Sequence, residues 1–149
     1  MVTMVGNEDN IKDLVTNLIY LEHDAVAAYD SCIERLDDKT LSAKIAEFKA
    51  DHLRHLDILR RIASETGADA PVEGDMKQML TTGKIVLADL MGDAAILKAM
   101  KTNEDDTVTA YERASRHGDA IPESKAFFME AHQDELRHRE WMETTAQSL

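Results

Sequence analysis

Glu135 and His138 stand three residues apart in Asp134-Glu135-Leu136-Arg137-His138, a spacing that sets both side chains on one face of a helix. A carboxylate beside an imidazole is a common way to hold a transition metal. An echo, Asp51-His52-Leu53-Arg54-His55, keeps the Asp, Leu, Arg and final His but has His52 in the place of Glu135. Two near-copies of one motif imply two similar helix faces turned toward one place. The chemistry they offer together is metal binding inside a helix bundle. Two further acids belong with them. Glu22 and Glu104 each interrupt an otherwise apolar stripe, and each is followed seven residues on by a tyrosine, Tyr29 and Tyr111.

The elements that must position these residues are helices. Two prolines and six glycines in 149 residues, with abundant Ala, Leu, Glu, Lys and Met, predict an all-α chain. The first helix is expected from Ile11 to Leu36, capped by Asn10 or Asn7, with Leu14, Leu18, Ala25, Val26, Ile33 and Leu36 inward. After the turn Asp37-Asp38-Lys39, Thr40 is the expected cap of a second helix that runs to about Ser64. Its inward residues are Leu41, Ile45, Phe48, Leu56, Leu59 and Ile62, with His52 and His55 on the same stripe. Gly67, Pro71, Gly74 and Gly83 break up residues 65–92, leaving short amphipathic pieces at Met76–Leu80 and Ile85–Met91; so long a connection suits a crossover along a bundle. A third helix is expected from Asp93 to Arg116, closed by Gly118, and a fourth from Pro122, with Phe127, Phe128, Ala131, Glu135, His138 and Met142 on one face. The architecture is an antiparallel four-helix bundle with one long crossover between helices two and three, a single domain over 1–149 with residues 1–10 as a tail.

The two halves repeat. Glu22-His23-Asp24-Ala25-Val26-Ala27-Ala28-Tyr29 parallels Glu104-Asp105-Asp106-Thr107-Val108-Thr109-Ala110-Tyr111 at an offset of 82, and the histidine motifs follow at 83. A pseudo-twofold arrangement would bring Glu22, His52, His55, Glu104, Glu135 and His138 to one level.

Composition bounds the function. With 17 basic against 29 acidic residues the net charge is −12, which argues against nucleic acid and anionic membrane surfaces as partners. A single cysteine, Cys32, allows no internal disulfide, zinc ribbon or iron–sulfur cluster. No signal-like start and no apolar run of transmembrane length is present, so a cytoplasmic protein is expected. Phosphate loops, nucleophile elbows and basic stripes are also missing.

A four-helix bundle with Glu on two helices and Glu-x-x-His on the other two resembles the ferritin-like di-iron carboxylate proteins. The resemblance spans nearly the whole chain, including the Glu-then-Tyr spacing of bacterioferritin-like and rubrerythrin-like helices. It is strongest to small bacterial ferritin-like proteins linked to stress responses. It implies Glu22 and Glu104 as terminal carboxylate ligands, Glu135 as a bridging one, and His55 and His138 as ligands to one metal each. Two divalent ions are implied, iron foremost, with manganese or zinc as alternatives, and dioxygen or peroxide as reactant. Without rubredoxin-like cysteines, an electron donor would be a separate protein. A homodimer is the default assembly.

One position departs from that pattern. His52 stands where the resemblance calls for a second bridging Glu, and a neutral imidazole coordinates through one nitrogen only. Two divalent ions bring +4, and three carboxylates return −3 instead of −4. The second ion should bind less tightly, or the site should hold one metal that favours nitrogen. Asp51 and Asp134 precede the ligand positions and point about 100° away; they are expected to accept from the far histidine nitrogens, crossed between helices.

Each residue also has a plainer reading. Glu22 or Glu104 alone would be a solvated stripe-edge acid, but two in matching phase are costly to bury unless used. Tyr29 and Tyr111 read first as core residues with bonded hydroxyls. His23 and His132 are expected at the surface, and Cys32 in the core. Three functions follow: iron oxidation or peroxide handling, divalent-metal binding without turnover, or a structural bundle with a retained polar layer.

Overall fold

Asn10 accepts a hydrogen bond from the Asp13 amide at 2.9 Å and so begins α1, Ile11–Arg35. The computed structural model describes residues 3–72, 87 and 90–149. Among them are three further helices, α2 (Lys39–Thr66), α3 (Asp93–Ser115) and α4 (Pro122–Ser148), and no strand. The cap of α2 is Asp38, whose carboxylate accepts from the Thr40 amide at 2.9 Å. The expected cap, Thr40, is therefore a donor to it inside the first turn. Gly67 ends α2 in the left-handed conformation, φ 78°, where a side chain is disfavoured. Proline at the first position of α4 matches the expected start.

Gly118 does not stop α3 in the expected left-handed manner; among the described residues only Gly6, Gly67 and Gly92 have positive φ. The helix ends instead at Arg116, and His117 secures the turn. Its Nδ1 accepts from the Asp119 amide, which leaves Nε2–H to donate to the Glu8 carbonyl at 2.8 Å.

The start of α1 lies beside the end of α2, where the Thr16 hydroxyl donates to the Asp69 carbonyl. Past the other end of α1, the amides of Asp37 and Asp38 donate to the Asp93 carboxylate at the head of α3. Residues 69 and 93 thus sit at opposite ends of α1. The expected pieces at 76–80 and 85–91 fall outside the described residues, except for Leu87, Leu90 and Met91. α1 packs chiefly on α2, and α3 on α4.

The expected tail is docked. The backbone of Thr3 donates to Asp106, and Arg113 donates to the carbonyls of Thr3 and Val5. Val5 is buried, and Gly6 lies so close to Arg113 that a Cβ there would be 2.3 Å from the Arg113 Cβ.

Each helix carries two apolar segments with polar residues between them. One core cluster gathers Leu14, Leu18, Leu59, Tyr111, Ala114 and Phe128. The other gathers Tyr29, Leu36, Ile45, Leu97, Met100 and Met142. Cys32 is buried in the second cluster, as expected, and burial pushes its thiol up to about 12. No helix among the described residues is long and apolar enough to cross a membrane.

Candidate metal centre

The residues between the two clusters are Glu22, His52, His55, Glu104, Glu135 and His138, none more than 2 % exposed. One expected residue comes from α1, two from α2, one from α3 and two from α4. The helical phase set by the apolar segments on either side turns each of them inward. They form two groups whose ligand atoms lie within 4.8 Å of one another: Glu22, His52, His55 and Glu135, then His52, Glu104, Glu135 and His138. His52 and Glu135 belong to both.

Within the first group, Glu22 Oε2 is 3.0 Å from His52 Nδ1 and 3.5 Å from His55 Nδ1, and Glu135 Oε1 is 3.3 Å from His55 Nδ1. Within the second, His52 Nε2 is 3.5 Å from both Glu104 Oε1 and Glu135 Oε2, and His138 Nδ1 is 3.6 Å from Glu135 Oε2. His52 Nε2, His55 Nδ1 and Glu135 Oε1 are buried without a hydrogen-bond partner. Such atoms are costly to leave unsatisfied. Two donors bound to one ion at about 2.1 Å lie about 3.0–3.5 Å apart, which is the spacing found here. The residues present therefore fit a metal ion.

The aspartates cross between helices. His55 Nε2–H donates to Asp134 at 2.9 Å, and His138 Nε2–H donates to Asp51 at 2.7 Å. Each ring is thereby oriented with Nδ1 toward the centre. Arg54 donates to Asp51 and Asp134, and Arg137 donates to the same two. Sequence reasoning gave these arginines no task, although both sit in the repeated motif. Their long side chains close a ring of four charges over the outer edges of the two imidazoles.

The tyrosines also cross. Tyr29 donates to Glu104 Oε1 at 2.5 Å, and Tyr111 to Glu22 Oε1 at 3.0 Å. Burial and the neighbouring carboxylates push both phenols well above their ordinary range. Both therefore serve as neutral donors.

Thr107 was missed. Its hydroxyl lies 2.8 Å from Glu104 Oε2 and 2.9 Å from Glu135 Oε2. The signal was a break in the repeat, since the counterpart of Thr107 is Ala25. Phe48 stacks on His138 with ring centres 4.3 Å apart, a contact the apolar pattern did not announce. His23 and His132, expected at the surface, are half-buried outside the cluster; His23 meets Arg60 at 2.9 Å.

The charges pull against burial. Burial pushes Glu22 up, but the His52 and His55 charges hold it below its ordinary value. Burial likewise opposes ionisation of Glu135, and the His52 charge with hydrogen bonds holds it well below. Glu104 is raised to about 7 by burial and by the Glu135 charge. Burial pushes His52 and His55 down, and the carboxylates more than reverse this, raising His52 well above its ordinary value and His55 to about 11. A cation entering the site competes with these protons.

Together these features define a class: a four-helix bundle whose buried Glu/His layer can hold a metal ion. The chain belongs to the family described as Domain of unknown function (DUF2383), whose model matches residues 10–117, from the α1 cap to the end of α3. Its fold is similar to the crystal structure of a conserved hypothetical protein, rv2844, from Mycobacterium tuberculosis. The TM-score is 0.74 at 15% identity, over 91% of this chain and 89% of that one. At that identity the likeness shows the fold alone. No curated protein matches significantly.

Proposed function

We propose that this chain is a ferritin-like, antiparallel bundle that binds two divalent metal ions, iron foremost, and oxidises ferrous iron or handles dioxygen and peroxide in stress defence. The observation that carries the reading is the pair of four-residue groups sharing His52 and Glu135, with three buried donor atoms lacking any other partner. The helix directions are supported by the end-to-start contacts of α1 with α2 and by the carboxylate of Asp93 at the turn after α1. Glu22 with His55 would hold one ion and Glu104 with His138 the other, Glu135 giving an oxygen to each. When bound, an iron pair supplies electrons for reducing dioxygen or peroxide. The chain's own contributions are orientation and exclusion of water. Asp51 and Asp134 fix the imidazoles, Tyr29 and Tyr111 hold the terminal carboxylates, and the apolar clusters cap the layer at both ends.

A second reading, divalent-metal binding without turnover, is favoured by His52, which makes the donor set half imidazole and suits zinc. Elemental analysis of the purified protein, then anaerobic ferrous titration and exposure to air or peroxide, separates the two. Two irons per chain, oxidised on exposure, are expected, and Glu135→Ala should abolish the oxidation. Tightly held zinc with no oxygen consumption would leave the second reading standing. No uptake of any divalent ion would overturn both.

A further inference from the structure

His52 is set apart from the other two imidazoles by what its nitrogens face. In His55 and His138, Nε2 is taken by an aspartate and Nδ1 alone points inward. In His52 both nitrogens point at carboxylates of the centre, and at different ones. Nδ1 meets Glu22 at 3.0 Å, while Nε2 lies 3.5 Å from Glu104 and from Glu135 and has no hydrogen-bond partner. The ring cannot turn away. It is fully buried, against Tyr29 at 4.6 Å between ring centres, with His138 at 5.2 Å and His55 at 5.7 Å.

Glu135 is divided in the same manner. Its Oε1 faces His55, and its Oε2 faces His52 Nε2 and His138. We propose that His52 is a bridging ligand, giving Nδ1 to the ion held by Glu22 and His55 and Nε2 to the ion held by Glu104 and His138. This rests on the two-ion reading above and deepens it. Each ion then receives one terminal carboxylate, one terminal imidazole, one oxygen of Glu135 and one nitrogen of His52, the four donors of a tetrahedral site.

A neutral imidazole has one free lone pair, so it can serve only one ion. The second nitrogen serves once its N–H bond breaks: the proton leaves to water, the electron pair stays on nitrogen and forms the bond to the metal, and nothing is oxidised or reduced. The resulting imidazolate carries −1. Added to Glu22, Glu104 and Glu135 it gives −4, matching the +4 of two divalent ions. The deficit that replacing a carboxylate with His52 creates is thereby removed.

The test uses the intact chain with ring-¹⁵N histidine, loaded with two equivalents of ¹¹³Cd²⁺, and reads cadmium–nitrogen coupling by NMR. One ring should show coupling at both nitrogens, and two rings at Nδ1 only. His52→Glu, which restores a bridging carboxylate and the charge, should still bind two cadmium ions and lose the doubly coupled ring. Two bound ions with no doubly coupled ring in the unaltered chain, or persistence of that ring in His52→Glu, would overturn the bridge and leave the two-ion site intact. Failure of the unaltered chain to hold two cadmium ions would overturn the bridge and the two-ion reading together.

Discussion

At the scale of single residues, the site depends on side chains that touch no ion in the proposed arrangement. Asp51→Asn with Asp134→Asn removes the acceptors that orient His138 and His55, and should weaken metal affinity by roughly 10–100-fold. A competition titration against a chelating dye measures this, and unchanged affinity would show that the aspartates serve only the arginines. The titration behaviour of the metal-free chain follows from the shifted groups. His52 and His55 are raised, so their stabilisation is complete below the ordinary histidine value of about 6.5 and is lost as pH rises toward the folded value, about 11 for His55. Glu104, raised to about 7, adds a loss between its ordinary range and neutrality. Asp134, held well below its ordinary range by His55 and Arg54 against the effect of burial, contributes above that range and is lost in acid. Melting temperatures of the metal-free chain should therefore fall steadily from pH 6 to 10, and saturating zinc should flatten that slope. Equal slopes with and without zinc would count against ligation by the histidines. Most of this layer was legible in the sequence because buried acids and histidines break an apolar stripe visibly. Arg54 and Arg137 were not, since a surface arginine breaks no apolar stripe and its task is defined only by what lies across the bundle; Thr107 left only the faint trace of standing opposite Ala25 in the repeat.

At the scale of elements, the helices were readable within a residue or two, and the departures lie in the connections. Asp38 and Thr40 are both competent caps; the charged acceptor won, and α2 starts at Lys39. Gly118 looked like a stop, but the neighbouring His117 gains two hydrogen bonds in a turn with ordinary φ, so left-handed backbone is not required there. The glycines that do matter give a graded prediction. Gly67→Ala meets only the tip of Lys12, 3.7 Å away, so its cost is the left-handed backbone alone, about 1–2 kcal/mol. Gly6→Ala adds a collision with Arg113 to a φ of 103° and should cost more, detaching residues 3–8 from α3. Urea unfolding of the two variants orders them; a smaller loss for Gly6→Ala would show that the N-terminal segment contributes little.

At the scale of the molecule, the bundle was foreseeable because four amphipathic stretches joined by short and long connections leave few ways to bury their stripes. The docking of residues 3–8 was not, because polar contacts such as Arg113 to the Thr3 carbonyl leave no periodic trace. The metal reading makes a prediction for the whole fold. An ion bound only by the folded chain at 100 times its Kd adds about 2.7 kcal/mol, or roughly 5–11 °C in Tm for a domain of this size. Calorimetry with and without zinc, followed by chelator, checks it. A Tm indifferent to both would leave the polar layer a structural feature.

The crossed partners carry a consequence for how the chain is assembled. Tyr29 reaches Glu104 and Tyr111 reaches Glu22; His55 leans on Asp134 and His138 on Asp51. All four bonds run between the first two helices and the last two, and none closes within one pair. Each pair is thus an unfinished piece whose complement is written in the other. Severed between α2 and α3, the two fragments would still hold the instructions for mutual recognition, and only their reunion would rebuild the polar centre.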